Sequence, residues 1–459
     1  MAAKRHVIVG GGTAAINAIT SIREFDQGAS DIVLVAEERP YSRMVLPYYL
    51  GKRISRSHVW TLSPDRLAAL GVTTQIGRRA TALDTAQQRV TLDNGEAVDY
   101  DDLLIATGSS AVRAPVPGAD LPGVHSFWTL EQADGLIAEV KAGSEVVLVG
   151  AGFISFTILN SLVKLGVRLT VIELAPTILP RMIDPTGAAI VTRWLEQHGV
   201  TVQTGVRLNG IEEVAGRKRL VLDGGGELSA DVVIMATGIR PNLGWLEGAG
   251  LEMGRGILVD DHMRTSAPNV YAAGDVAEAF DRVTGQRALH AIEPAAMEHG
   301  RIAGANMAGV DRAHRGTVLM NIVDVLDLEI ASFGLWDDAD AESVAVEKPS
   351  QWAYRRLLWH GQGEAMTGAI IIGISEHLWA TNDVGILKGL VQDGQPMGAW
   401  KRAMMDNPWE LKRPFVATGH VGRLLQETVL GRPSTPADEV NAARWVSPEA
   451  AALAAQTEV

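Results

Sequence analysis

Two glycine-rich turns of the same kind occur in this chain, each placed directly after a short aliphatic run. The first is Val7-Ile8-Val9-Gly10-Gly11-Gly12-Thr13-Ala14-Ala15 and the second is Val147-Leu148-Val149-Gly150-Ala151-Gly152-Phe153-Ile154-Ser155. A strand that enters such a turn and leaves it as a helix is the dinucleotide-binding βαβ unit. The repeat therefore predicts an α/β chain with two Rossmann-like domains. In the first unit, residues 6–9 read as a strand and 14–24 as a helix. Gly10 permits the tight turn, Gly12 lets a pyrophosphate approach, and Ala15 lets the helix lie close to the strand. Thr13 and Ala14 open that helix, whose free N–H groups and positive dipole end favour phosphate. The next strand, Asp31-Ile32-Val33-Leu34-Val35, ends at Glu37, where a carboxylate can accept from ribose hydroxyls. Glu38 is adjacent, and the spacing does not choose between them.

The second unit repeats this with its own chemistry. Residues 145–149 read as a strand and 153–165 as a helix with Gly166 beyond its end. Gly150 and Gly152 fill the first two glycine roles, Phe153 and Ile154 open the helix, and Ser155 stands where glycine or alanine is usual. The following strand, Arg168-Leu169-Thr170-Val171-Ile172, ends at Glu173. Leu174 and Ala175 follow where an arginine would bind a 2′-phosphate, so the site favours NADH over NADPH. Two such sites in one chain can hold a flavin and a nicotinamide together. That combination points to hydride transfer with electrons passed onward.

Composition narrows the chemistry further. At 459 residues, 47% hydrophobic and 21% charged, the chain is globular and long enough for two to four domains. Its net charge of −13 disfavours nucleic acid and anionic membrane as partners. No apolar run reaches the ~18 residues of a membrane span. Lys4-Arg5-His6 leads straight into the first strand, so a cytoplasmic protein is expected. There is no cysteine, which removes disulfides, thiolate-ligated metal centres, sulfenate chemistry and dithiol relays. Redox chemistry must then be carried by a bound cofactor. No metal-ligand spacing recurs among the histidines.

Three more segments complete a pattern. Thr265-Ser266-Ala267-Pro268-Asn269-Val270-Tyr271-Ala272-Ala273-Gly274-Asp275 is followed by Glu293-Pro294-Ala295-Ala296, which opens a helix with proline near its first turn. Tyr100-Asp101-Asp102-Leu103-Leu104-Ile105-Ala106-Thr107-Gly108 and Asp231-Val232-Val233-Ile234-Met235-Ala236-Thr237-Gly238-Ile239-Arg240-Pro241-Asn242 are two ATG segments. With the fingerprints, these motifs resemble the FAD-dependent pyridine-nucleotide oxidoreductases over about residues 4 to 395. The resemblance implies that Gly274 and Asp275 hold the ribityl chain of FAD. It implies that the helix after Glu293 points its N-terminus at the flavin, and that the ATG segments link the two nucleotide domains.

Within that family, Glu38-Arg39-Pro40-Tyr41-Ser42-Arg43 is similar to a loop of ferredoxin and rubredoxin reductases and of the flavin portion of assimilatory nitrite reductases. The resemblance implies an Arg43 contact with the FAD pyrophosphate. One branch of the family carries a cysteine two residues before a segment like Leu46-Pro47-Tyr48-Tyr49, with Pro47 beside the flavin. Here that position is Met44, so thiol peroxidase chemistry is excluded. Ferredoxin reductases carry a lysine and a glutamate where this chain has Tyr48 and Thr157. Both are expected near the flavin in a less charged setting. No side chain is assigned as catalytic acid or base.

Domain limits follow from the motifs: an FAD-binding domain split over 1–113 and 241–315, an NAD-binding domain over 114–240, and an α+β interface domain over 316–395. The interface domain contains a hairpin around 354–373, and Asn382, Asp383, His360 and His377 read as loop residues. In the family this domain covers the flavin or forms a homodimer contact. Residues 396–459 are an extension, apolar and basic over 400–430 and alanine-rich over 449–459. The extension is either a strap on the interface domain or a docking element for an acidic carrier. The leading expectation is NADH-dependent reduction of a protein partner: ferredoxin, rubredoxin or a metalloenzyme subunit. Direct reduction of a quinone or oxygen, and a flavin-binding assembly module with little turnover, are the alternatives.

Overall fold

A computed structural model describes residues 3–360 and 363–420. Gly361 and Gln362 of the expected hairpin, the 421–430 part of the basic stretch, and the 449–459 stretch lie outside the described residues. The first aliphatic run is the strand Arg5–Val9, flanked in parallel by Asp31–Ala36 and Asp102–Ile105. Val270–Ala272 and Val72–Ile76 close the edges of this five-stranded parallel sheet. The second run repeats the design. Glu145–Val149 is central, Arg168–Glu173 and Val232–Met235 flank it, and Thr201–Thr204 and Val124–Ser126 form the edges. Both faces of the central strands are covered, which is why they read as unbroken aliphatic runs. In both sheets the strand order reverses beside the central strand, leaving a crevice at the carboxyl ends.

The fingerprint helices run over Thr13–Asp26 and Phe153–Lys164. A third helix, Glu293–Met307, packs along the first. Its glycines permit the approach: a Cβ at Gly300 would stand 2.2 Å from the Ala14 carbonyl oxygen, and one at Gly304 would stand 2.5 Å from that of Ala18. Contact between backbones this close fixes where the N-terminus of the third helix points. No helix among the described residues is long and apolar enough to cross a membrane.

From Met320 the chain builds a five-stranded antiparallel sheet in the order Met320–Val325, Leu328–Gly334, Met366–Ile374, Ala353–His360, Ala341–Lys348. The expected hairpin is its Ala353–His360 and Met366–Ile374 pair. The edge strand Ala341–Lys348 was not foreseen. Its half-exposed, charged sequence is suited to an edge and carries little alternation. Side chains alternate across this sheet. Ile330, Tyr354, Ile370 and Ile372 join the core of the second nucleotide unit. Phe333, Leu357, Trp359 and Ile371 face the helix Asp383–Asp393, packing on Leu387 and Leu390.

The loop reading of 377–383 is corrected. His377 lies within the helix Ser375–Thr381, and Asn382 joins it to the next helix in a left-handed conformation at φ 58°. Asp383 is buried at the start of that helix, ion-paired with the buried Arg355. Two helical turns are too short to show a period, and asparagine tolerates the left-handed joint between them. His360 ends its strand and sits 2.8 Å from Asp338, which raises the imidazole above its ordinary value.

The described part of the extension is a strap. Met397, Met404 and Leu411 are buried in the same cluster as Trp359. Arg355 donates to the Pro408 and Trp409 carbonyls at 3.1 Å each, beneath the Trp409 ring at 4.6 Å from its centroid. Lys401, in the basic stretch of the alternative docking reading, is held by Glu342 and by the Gly363 carbonyl, both at 2.7 Å.

Candidate active site

The two glycine turns have one geometry. Gly10 adopts φ +115°, its N–H donates to the Val35 carbonyl at 2.8 Å, and a Cβ there would lie 2.1 Å from the Ala106 oxygen. Gly150 adopts φ +97°, donates to Ile172 at 2.8 Å, and would place a Cβ 2.5 Å from the Ala236 oxygen. Each ATG segment thus presses on the turn opposite it. At Gly12 and Gly152 a Cβ would meet nothing within 4 Å, so any side chain there would project into open space where a phosphate must come close.

A connected polar wall descends from the first unit. Asp275, in the turn after Val270–Ala272, accepts from the Ser109 hydroxyl at 2.6 Å, and burial pushes its carboxyl above the ordinary carboxylate range. The Ser109 carbonyl accepts from the Trp128 indole at 2.6 Å, and the Trp128 carbonyl accepts from Arg43 at 2.7 Å. Tyr41 donates to Glu38 at 2.9 Å and accepts from the Leu130 amide, with burial pushing its phenol up to about 12. Glu37, one residue beyond its strand, is exposed and paired with Arg79 at 2.9 Å, and both line the same cleft as the turn. Glu293, at the start of its helix, accepts from the Thr13 hydroxyl at 3.0 Å and also from Ser42. An acid in the first turn suits the helix dipole. Asn242 ties the crossover segments together by donating to the Thr107 carbonyl at 2.8 Å and accepting from Ser110 at 2.7 Å.

In the second unit the strand-end carboxylate turns inward. Glu173 accepts from the Ala151 amide at 2.6 Å and from the Ala175 amide at 2.8 Å. Ser155, the departure from the fingerprint, sends its hydroxyl back to the Gly150 carbonyl at 2.6 Å, bracing the turn from within. Thr237 donates to the Val112 carbonyl at 2.5 Å, which ties the second ATG segment to the chain just beyond the first.

Most of these groups border one cleft of about 1940 Å³; Leu130, Ala151 and Ser155 lie behind its wall. Of the residues singled out in sequence, Gly10, Gly12, Thr13, Ala14, Glu37, Glu38, Arg43, Pro47, Ala106, Thr107, Gly108, Gly274, Asp275, Glu293 and Pro294 line it. So do Gly150, Gly152, Phe153, Ile154, Thr157, Glu173, Thr237 and Gly238. Three do not. Ala15 and Ala295 are buried inside their helices' packing faces. Tyr48 is corrected more sharply: it is 49% exposed beneath Arg53. Residues 46–50 form one short helix, so Pro47 on the cleft side sends its neighbour a quarter-turn or more away. Thr157 reaches the cleft but returns its hydroxyl to the Ile154 carbonyl at 2.7 Å.

Sequence reasoning missed Trp128 and Ser109, which carry the wall between Asp275 and Arg43, and Met320, Asn321 and Ile322, which line the cleft from the C-terminal sheet. A lone tryptophan and a strand start carry no motif. Asn242 stood inside a quoted motif and was the one member with a legible signal.

The cleft fits two dinucleotides. Open positions at Gly12 and Gly152 leave room for phosphates. Asp275 offers a buried acceptor, and the Trp245 indole N–H, also in the wall, is a buried donor with no partner in the protein. The family model described as pyridine nucleotide-disulphide oxidoreductase matches residues 4–299. The chain is 33% identical to a protein of Aromatoleum evansii named NADH-dependent phenylglyoxylate dehydrogenase subunit epsilon, over 90% of this chain and 97% of that one. It is 32% identical to a Methanocaldococcus jannaschii NADH oxidase, over 72% of this chain and 76% of the other. Among solved structures, a NAD-dependent persulfide reductase from A. fulgidus matches with a TM-score of 0.81 at 27% identity, covering 92% of this chain and 85% of its own.

Proposed function

This chain belongs to the pyridine nucleotide-disulphide oxidoreductase family, and from that premise we propose that it takes hydride from NADH onto FAD and passes the electrons to a protein redox partner. It is an FAD-dependent NAD(P)H oxidoreductase built without cysteine. The observation that carries the reading is the single cleft bordered by both fingerprints. With no thiol to relay electrons, the redox step must run directly between two bound nucleotides.

FAD belongs in the 1–113 and 241–315 portions, where Gly10, Gly12, Thr13 and Ala14 would cradle its pyrophosphate with Arg43. Glu37 or Glu38, both in the cleft wall, would accept from the ribose; Glu37 is paired with Arg79 and Glu38 accepts from Tyr41. Asp275 would accept from the ribityl chain, held in place by Ser109. The helix opening at Glu293 and Pro294 would set its positive end toward the flavin ring. NADH belongs at the 114–240 portion on Gly150, Gly152, Phe153 and Ile154, with Glu173 on its ribose. Bound there, FAD supplies two-electron acceptance and release of electrons singly. The protein's part is to position the two rings and exclude water. No acid or base is required at the transfer, which agrees with the uncharged Thr157 in the wall.

The partner is a ferredoxin, a rubredoxin or a metalloenzyme subunit. The relative whose name marks it as a dehydrogenase subunit, matched over nearly its whole length, supports a chain that works beside other polypeptides. The relative named NADH oxidase supports the second reading, direct transfer to oxygen or a quinone. Steady-state NADH oxidation decides between them, assayed with oxygen, with menadione, and with ferredoxin and rubredoxin. Turnover stimulated many-fold by one of the proteins is expected. Turnover with oxygen or menadione alone, undisturbed by either carrier, would overturn the leading reading.

A further inference from the structure

A cationic surface beside the cleft stands out against the rest of the molecule. Within residues 39–66 there are six lysines and arginines and one acid, Asp65, in a chain whose net charge is −13. The segment is inserted between the strands Asp31–Ala36 and Val72–Ile76, so the sheet does not need its charges. Lys52, Arg53 and Arg56 are exposed. Three of the arginines lie against aromatic rings. Arg39 lies 4.2 Å and Arg56 5.8 Å from the Trp60 ring centroid, and Arg53 lies 5.3 Å from that of Tyr48. Asp134 does pair with Arg56, at 3.0 Å. Among these charges sit two exposed apolar side chains, Met44 at 42% and Tyr48 at 49%. Met44, Leu46 and Pro47 also border the cleft, so the patch begins where the cleft opens.

We propose that this surface, residues 39–60, is the docking site for an acidic one-electron carrier protein. The proposal rests on the functional reading above and gives it a location. An apolar centre of Met44 and Tyr48 ringed by cations is the composition of a transient protein interface. A positive patch on an acidic body orients and accelerates the approach of an acidic partner while leaving the rest of the surface repulsive to it. The strap is the competing location, and it has lost Lys401 to Glu342. Each NADH yields two electrons, so two carriers would visit the patch in turn.

The test uses the full-length, FAD-loaded protein, NADH, and an acidic [2Fe–2S] ferredoxin and a rubredoxin as probes, with the uncharged acceptor menadione as control. Lys52 and Arg53 do not border the cleft, so the K52E/R53E double variant should reduce menadione at the wild-type rate. Its KM for the carrier should rise about tenfold at low salt, and its salt dependence should flatten. A K412E/R413E variant on the strap should behave as wild type. A K52E/R53E variant with unchanged carrier KM and unchanged salt dependence overturns the docking site, as does a loss confined to the strap variant. A wild-type protein that reduces menadione but neither carrier overturns the functional reading itself, and the proposal with it. Should K52E/R53E fold poorly, the milder K52Q/R53Q pair gives the same comparison with a smaller shift.

Discussion

The two nucleotide units share a backbone and differ in what surrounds it. Each has a central strand, a glycine turn closed by the opposite ATG carbonyl, and an acid at the end of the next strand. Around the first unit, a second helix is pressed onto the fingerprint helix through Gly300 and Gly304, and Asp275 and Glu293 arrive from distant sequence. Around the second, the fingerprint helix is braced from the C-terminal sheet: Asn160 donates to the Asp324 carbonyl at 2.9 Å and accepts from the Leu326 amide at 2.7 Å. The acids after the second strands differ likewise, Glu37 paired with the Arg79 side chain and Glu173 folded onto two amides of its own unit. The first site is enclosed by many segments, as suits a cofactor that stays. At the second turn the polar contacts come from its own unit, through Glu173 and Ser155, as suits one that comes and goes.

The most severe test of that contrast is to damage the same position in both units. Alanine at Gly10 or Gly150 meets a backbone oxygen at a positive φ, costing ~1–2 kcal/mol of backbone strain and ~1–3 kcal/mol of overpacking. Gly10→Ala should yield protein without flavin. Gly150→Ala should purify fully yellow yet be reduced slowly by NADH. The flavin-to-protein ratio and the reduction rate are the readouts, and equal flavin loss in both would erase the distinction.

A change outside both units sharpens it. Met404 is fully buried in the strap cluster, and Met404→Ala should cost ~2–5 kcal/mol. Thermal melting should show the loss, while the flavin ratio and nucleotide preference at low temperature stay unchanged. A selective effect on flavin would mean that the strap belongs to the first unit.

How much of this was legible in the sequence depended on whether a residue's job was set by backbone or by distant packing. Gly10 and Gly150 were readable as turn residues because a positive φ and a facing backbone oxygen leave room only for glycine. The place of Glu173, at a strand end on the cleft, was readable from the run of aliphatic residues before it. Tyr48 was misplaced because a motif position gives a neighbourhood, while the helical turn of 46–50 decides which side chain faces the cleft. Trp128 and Ser109 were invisible because they act through contacts across long stretches of chain. The helix Ser375–Thr381 was hidden by its shortness, and the pairing of Lys401 was hidden because Glu342 lies on a strand that carried no signal.

Smaller effects follow at single side chains. Asp275→Ala leaves the Ser109 hydroxyl without its acceptor and a flavin hydroxyl unpaired, which should cost ~1–3 kcal/mol. The variant should purify with substoichiometric FAD, measured by absorbance against protein concentration. Full occupancy with unchanged affinity would place the flavin elsewhere. Glu173→Ala should act on the other unit alone. Wild type should favour NADH over NADPH in kcat/KM by at least about tenfold, or ~1.4 kcal/mol. The variant should narrow that ratio with its flavin retained, and a wild-type preference for NADPH would contradict the role given to Glu173.

The central claim is that one cleft brings two nucleotides together for direct hydride transfer. Anaerobic rapid mixing of the FAD-loaded protein with NADH, following the visible flavin band, tests it most directly. The account predicts rapid and complete bleaching by NADH, with colour restored once an electron acceptor is added. A band that persists under excess NADH in protein carrying full FAD would contradict it.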